Sequence, residues 1–177
     1  MLFIQQAGEE DIPVIQELAE RTWAVAYASI LPPAQMTYML DLFYSTEALR
    51  EQMNKGHQFI LCMDDAEAVG FASYSPKDDD TASSSKSVYR LHKIYIDPDQ
   101  QGKGVGKLLL DHIINDIRPH GATHLELNVN RHNAAIGFYK KYGFVILYEE
   151  DIDIGNGYFM NDYVMGKAIS ETAVLDN

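Results

Sequence analysis

The sequence predicts a mixed α/β fold in one domain, on three observations. A strand-like run from Val88 to Ile96 passes through a glycine-rich turn into an apolar stretch at helical spacing, Leu108, Leu109, Leu110, Ile113, Ile114 and Ile117. Two pairs of strand-like runs flank short turns as hairpins do, Gln58 to Met63 with Ala68 to Tyr74, and Ile146 to Ile154 with Tyr158 to Ala168. Amphipathic segments stand between these strands. A chain of 177 residues suits a single core that buries roughly 70% of the unfolded surface, with residues 1–170 as the expected domain and 171–177 as a polar tail.

Taken in order, Leu2 to Gln6 reads as a first strand. Acids and a proline at Glu9-Glu10-Asp11-Ile12-Pro13 mark a helix start, and Ile12, Ile15, Leu18, Ala19, Trp23 and Ala26 keep one apolar face. Pro32-Pro33 ends that helical region. Met36, Met39 and Leu40 set the face of a second helix, and Ser45 is an N-cap candidate for a third that reaches Met53. The aromatic residues Trp23, Tyr27, Tyr38, Phe43 and Tyr44 belong mostly to the core, with some available to wall a cleft. Asp64 to Glu67 is the turn of the first hairpin, and Pro76 to Ser87 is a polar surface loop. In the strand that follows, Tyr89 and Leu91 share a face that Ile94 and Ile96 continue, so the apolar phase slips by one residue at His92-Lys93, the mark of a β-bulge.

Beyond the glycine turn, the helix ends near Arg118-Pro119 and Thr123 to Val129 is a buried strand. An Asn or His cap then starts a helix with Ala135, Phe138 and Tyr142 on its apolar face, stopped by Gly143 in a left-handed C-cap. The last hairpin turns at Gly155-Asn156-Gly157. Glu149, Glu150, Asp151 and Asp153 form either a solvated strand edge or an acidic rim for a cationic ligand.

Composition narrows the function. The net charge of −12 and a pI near 4.7 argue against nucleic acid, whose phosphates the surface would repel, and favour either cationic small molecules or simple solubility. No apolar run approaches the ~20 residues of a membrane span, and the amino terminus turns polar too soon for a signal peptide. The single cysteine, Cys62, lies in an apolar run and suits a buried thiol in a reducing cytoplasm. His120 and His124 have no ligand partners at metal spacing, so no metal is expected.

The chemistry concentrates at Gln101-Gly102-Lys103-Gly104-Val105-Gly106-Lys107. Alternate glycines uncover backbone N–H groups ahead of a helix, whose N-terminal end attracts phosphate oxygens. Lys103 and Lys107 add formal charge. A P-loop would need Ser or Thr after Lys107, where Leu108 stands, and a dinucleotide fingerprint would need its third glycine one residue later.

Gln101-x-x-Gly104-x-Gly106 resembles the pyrophosphate loop of the GNAT N-acetyltransferase superfamily. Ala135, Phe138, Tyr139, Gly143 and Phe144 are similar to its second signature, N-x-x-A-x-x-F-Y-x-x-x-G-F. The chain departs from that pattern at His132, where the family has Asn, so either Asn130 or Asn133 is left to make the polar contact to the cofactor. The resemblance is specific from Tyr89 to Phe144. It implies a mixed, mostly antiparallel sheet of six or seven strands, splayed between the fourth and fifth, with helices on both faces. It also implies acetyl-CoA as cosubstrate, its pantetheine arm on main-chain groups of Ile94, Tyr95 and Ile96 and its diphosphate on Gln101, Gly102, Lys103, Gly104, Val105, Gly106 and Lys107.

Acetyl transfer to an amine needs a neutral nucleophile, a polarised thioester carbonyl and a proton for the departing thiolate. Deprotonating an alkylamine of pKa about 10.4 at pH 7 costs roughly 4.6 kcal/mol. Glu126 and His92 are the candidate bases. By resemblance Tyr139 is the acid, although transfer from a phenol to a thiolate is uphill by roughly 2 kcal/mol. Main-chain N–H groups at the bulge would polarise the carbonyl. The entry through Trp23, Tyr27 and Leu31-Pro32 is similar to bacterial polyamine acetyltransferases, so the expected acceptor is a small cationic amine such as a polyamine. An amino-terminal peptide, an aminoglycoside and a non-catalytic acetyl-CoA sensor are the alternatives. A second copy of the chain is among the expected partners; nucleic acid and membrane are not.

Overall fold

In a computed structural model, residues 1–77 and 87–170 are described. Most of the expected polar loop, at 78–86, and the tail at 171–177 lie outside the described residues. The elements in chain order are β1 (Leu2–Ala7), α1 (Ile12–Ala26), α2 (Pro33–Tyr44), α3 (Thr46–Asn54), β2 (Gln58–Asp64), β3 (Glu67–Pro76), β4 (Val88–Ile96), α4 (Val105–Ile117), β5 (His124–Asn130), α5 (Ala135–Tyr142), β6 (Val145–Gly155) and β7 (Tyr158–Ala168). The strands follow one another as β1-β2-β3-β4-β5-β7-β6. Strands β1 and β2, β2 and β3, β5 and β7, and β6 and β7 pair antiparallel; β4 and β5 pair parallel. This is the mixed, mostly antiparallel α/β architecture expected from the sequence. No helix among the described residues is long and apolar enough to cross a membrane.

The chain forms two compact units, with β4 and α4 each contributing to both. The first holds Met1–Tyr74 and Lys93–Leu110. Its core is built from the predicted face of α1 (Ile12, Ile15, Leu18, Ala19, Trp23), Leu49 of α3, the hairpin residues Phe59, Ile60, Leu61, Val69 and Phe71, and Val105 and Leu109 of α4, all buried. Ser45 caps α3 by accepting from Ala48 N at 3.1 Å, as its position predicts. Helix α1 ends at Ala26, well before the prolines, and Pro33 instead opens α2, where its missing N–H costs nothing. Cys62 is fully buried, and burial pushes its thiol up to about 11, so it is inert packing.

The second unit holds Ser75–His92 and 111–177. Leu125, Leu127 and Val129 of β5 pack with Ile113, Ile114 and Ile117 of α4, Phe144, and Val164 and Met165 of β7 in its buried interior. In α5 the fully packed residue is Tyr139, which shares the side of Ala135 and Tyr142 at i+4 and i−3; Ala135, Phe138 and Tyr142, the face read in the sequence, are half-buried. The Tyr142 hydroxyl donates to Asp111 Oδ1 at 2.5 Å, which explains why that residue stays near the surface of the core. Gly143 ends α5 in the left-handed region, as expected. Asn156 and Gly157, at φ 55° and 78°, make the tight β6–β7 turn.

The exit from β4 is fixed by Asp97, which is 4% exposed. Its N–H donates to Val69 O at 2.9 Å, its Oδ1 accepts from Asp99 N at 3.0 Å, and its Oδ2 accepts from Arg21 Nη2 at 2.5 Å. Replacing Arg21 by Met strands a buried carboxylate. Because Arg21 is itself partly exposed, urea unfolding of Arg21→Met is expected to show a loss of about 1–3 kcal/mol, whereas a change at the more exposed Lys55, Lys55→Met, stays within about 0.5 kcal/mol.

Candidate active site

The glycine turn starts from the anchored Asp97. Gln100 N donates to Asp97 O at 2.8 Å, closing a short 3-10 turn over Pro98–Gln100, and Gln101 follows in extended conformation and exposed. Gly102 and Gly104 then take φ +83° and +82°, a region closed to most side chains, and a Cβ built on either meets nothing within 4 Å. The surface over both residues is therefore open backbone. The first backbone bond of α4 runs from Leu108 N to Gly104 O at 3.0 Å, so the N–H groups of Val105 and Gly106 have no acceptor within the helix. Lys103 reaches back to Gln100 Oε1 at 3.0 Å, and Lys107 is exposed on the first turn. Behind the loop, Gly70 of β3 permits a close approach: a Cβ there would stand 3.0 Å from Val105 Cγ1 and 3.1 Å from Tyr95 O. Nothing in the sequence around Gly70 announces that role.

Strand β4 delivers Ile94, Tyr95 and Ile96 to the same unit, all half-buried. The Tyr95 ring packs against Phe71, Trp23 and Tyr44, with centroids 5.6, 6.1 and 6.4 Å away. Beside it Lys93, half-buried, places Nζ 4.8 Å from the centre of the Tyr44 ring and 5.8 Å from that of Phe43. Burial pulls its ammonium down to about 8. The sequence reading placed the phase slip at this residue but assigned it no chemistry.

The remaining candidates lie in the second unit. The register of β4 with β5 covers Val88 to Leu91 opposite His124 to Leu127, although β4 runs on to Ile96 and β5 to Asn130. Parallel pairing thus stops at the residue before the predicted slip. His92 Nε2 lies 2.7 Å from Ser75 Oγ, and Glu126 Oε1 accepts from Lys77 Nζ at 2.9 Å, so both candidate bases already hold a partner. The Lys77 ammonium is raised chiefly by that hydrogen bond. Next to them Arg90 donates to Asn128 Oδ1 at 2.6 Å, and Asn128 Nδ2 donates to Glu150 and Asp162. Burial, with the charge of Glu150 adding to it, raises the Asp162 carboxyl.

Tyr139 is 6% exposed, with its ring between Phe138 and Phe144 at 5.6 and 5.8 Å. Asn130 Oδ1 accepts from His132 N and Asn133 Oδ1 from Ala135 N, both at 2.9 Å. Each asparagine oxygen therefore shapes the turn into α5, and His132 is exposed. The acidic run of β6 is a solvated edge: Glu149 and Asp151 pair with Arg131, and Asp153 accepts from Gly155 N.

Among the described residues no group of three His, Cys, Asp or Glu side chains could hold a metal ion. A cleft of about 430 Å³ in the first unit is lined by Gln16, Glu20, Asp41 and Tyr44, among others, and by none of the predicted site residues. The structure thus groups Ile94–Ile96 with the glycine turn in one unit, and His92, Glu126, Asn130, Asn133 and Tyr139 in the other.

The chain is 39% identical over 64 residues to a peptidyl-lysine N-acetyltransferase, YjaB, of Salmonella typhimurium, covering 36% of this chain and 41% of that protein. It is 42% identical over 55 residues to the ribosomal protein bS18-alanine N-acetyltransferase of the same organism, covering 30% of this chain and 37% of that one. The matched region thus spans about two fifths of the length of these relatives. Among solved structures, PaiA N-acetyltransferase of Thermoplasma acidophilum in complex with coenzyme A shares the fold at a TM-score of 0.77 and 24% identity, covering 95% of this chain and 99% of that one. The model of the acetyltransferase (GNAT) domain matches residues 31–162, and so the chain belongs to the GNAT acetyltransferase family.

Proposed function

We propose that the protein transfers the acetyl group of acetyl-CoA to a primary amine. The observation that carries this reading is the open pair of left-handed glycines, Gly102 and Gly104, at the mouth of α4 in a chain of this family. Bare N–H groups at a helix start, with Lys103 and Lys107 alongside, suit the diphosphate of coenzyme A. Main-chain groups of Ile94, Tyr95 and Ile96 take the pantetheine arm. Asn130 or Asn133 supplies a further polar contact through its amide. Acetyl-CoA brings the activated carbonyl, and the chain orients it and manages protons. Tyr139, enclosed by Phe138 and Phe144, donates the proton that the leaving thiolate needs. Glu126 and His92 are the bases that the sequence offers for the acceptor, and each holds a partner, Lys77 and Ser75 respectively.

The acceptor is an alkylamine on a small cation such as a polyamine. An excess of 26 acidic over 14 basic residues supports that choice. The peptidyl-lysine specificity in the name of a relative supports a second reading, a lysine side chain on a peptide, which presents the same alkylammonium.

Three measurements test the reading. Calorimetry with acetyl-CoA is expected to register binding to the wild type and an affinity at least tenfold weaker for Gly104→Val, whose left-handed backbone strain costs about 1–2 kcal/mol of stability. Tyr139→Phe is expected to lower turnover at least tenfold while the dissociation constant for acetyl-CoA changes less than twofold; equal loss of both would assign the ring to packing alone. Thiol release in a panel of spermidine, lysine-containing peptides and alanine-terminated peptides is expected to be fastest with spermidine. Peptide preference would select the second reading, and binding without release from any amine would make the protein an acetyl-CoA sensor.

A further inference from the structure

We infer that Lys93 is the group that takes the proton from the acceptor ammonium, an assignment that rests on the acetyltransferase reading above. Three observations carry it. Lys93 immediately precedes the main-chain segment Ile94–Ile96 proposed for the pantetheine arm, on the side away from the glycine turn, so it adjoins the thioester end of an arm laid along that segment. Its ammonium has aromatic rings, Tyr44 and Phe43, as neighbours and no carboxylate within ion-pair distance among the described residues. The two side chains that the sequence offers as bases are both engaged, Glu126 by the Lys77 ammonium and His92 by Ser75.

The physical consequence follows from burial. A lysine withdrawn from water with no opposing charge loses hydration in its charged form only, which favours the neutral amine. The facing rings return part of that loss, because a cation over an aromatic face is attracted to it, but they supply less than a carboxylate would. The titratable groups around Lys93 do not oppose the shift. Tyr44 of α2 is neutral, its hydroxyl raised well above the usual phenol range by burial. His57, ahead of β2, is lowered by burial first and then by the charges of Lys93 and Lys55. On its own strand Lys93 is flanked by His92 and, two residues on, Tyr95. With the ammonium pulled down to about 8, about a quarter of the molecules carry neutral Lys93 at pH 7.5.

The proton balance is complete. The acceptor ammonium transfers one proton to the neutral Lys93 Nζ, which then releases it to water. The freed amine attacks the thioester carbon, forming the C–N bond as the C–S bond breaks. The second proton on nitrogen ends on the departing sulfur, by way of Tyr139. The sum is an amide, a free thiol and one proton released.

The role is tested with Lys93→Arg, which keeps the charge and cannot deprotonate, and Lys93→Met, which keeps the length and cannot ionise. Both are expected to turn over spermidine at least tenfold more slowly than wild type at pH 7.5, with acetyl-CoA affinity within twofold. The wild-type rate rises with pH through a limb centred near 8, and the limb is absent in both variants. In wild-type protein carrying ¹³C-labelled lysine, the NMR signal missing from Lys93→Arg is expected to titrate near 8. This measurement requires no turnover and no folded Lys93→Met. A Lys93 signal that titrates above 10, or a Lys93→Arg enzyme that keeps its rate within threefold and its limb, overturns the assignment while leaving the acetyltransferase reading intact. A wild type that binds acetyl-CoA and acetylates no amine overturns that reading, and the role of Lys93 with it.

Discussion

The structure depends on the way Asp97 is held. A strand that must end in an open backbone loop has no side chains to fix the loop in place, because any side chain large enough to do so would cover the N–H groups being presented. The solution is to anchor the residue before the loop. Asp97 is tied through its N–H to Val69, through one oxygen to its own turn and through the other to Arg21, a residue 76 positions earlier in the chain. Everything downstream, from the extended Gln101 to the two left-handed glycines and the first turn of α4, inherits its position from that buried carboxylate. Gly70 completes the arrangement by letting the Tyr95 carbonyl and Val105 approach β3 more closely than a methyl group would allow.

A second constraint is electrostatic. The chain carries a net charge of −12, yet individual acids around the candidate site are mostly spoken for: Glu126 by Lys77, Glu149 and Asp151 by Arg131, Asp162 and Glu150 by the Asn128 amide. Lys93 is the opposite case, a cation among rings without a counter-charge among the described residues. Burial here favours the neutral form of a base and brings it down to about 8.

Much of this was legible in sequence because the signals are local. Alternating glycines ahead of a helical apolar stripe, Ser45 as an N-cap and Asn156-Gly157 as a tight turn each act within a few residues, so the chain's own chemistry decides them. Within the apolar face of α5 the depth of burial was not legible, because an aromatic residue with a hydroxyl can sit at the edge of a core: Tyr142 stays half-buried to reach Asp111, and Tyr139 takes the interior. The partners of the predicted bases were invisible for a different reason. Lys77 lies 49 residues from Glu126 and Ser75 lies 17 from His92, and no spacing rule connects them.

The sequence by itself determined the order of strands and helices, the open backbone of the glycine turn and the family to which the chain belongs, since all three are written in neighbouring residues and in backbone freedom. Only the tertiary structure decided which titratable groups are free to act. Ionisation depends on what surrounds a side chain in space. The environment of Lys93 is assembled from α2, from the segment before β2 and from β4, three stretches that meet only once the chain has folded.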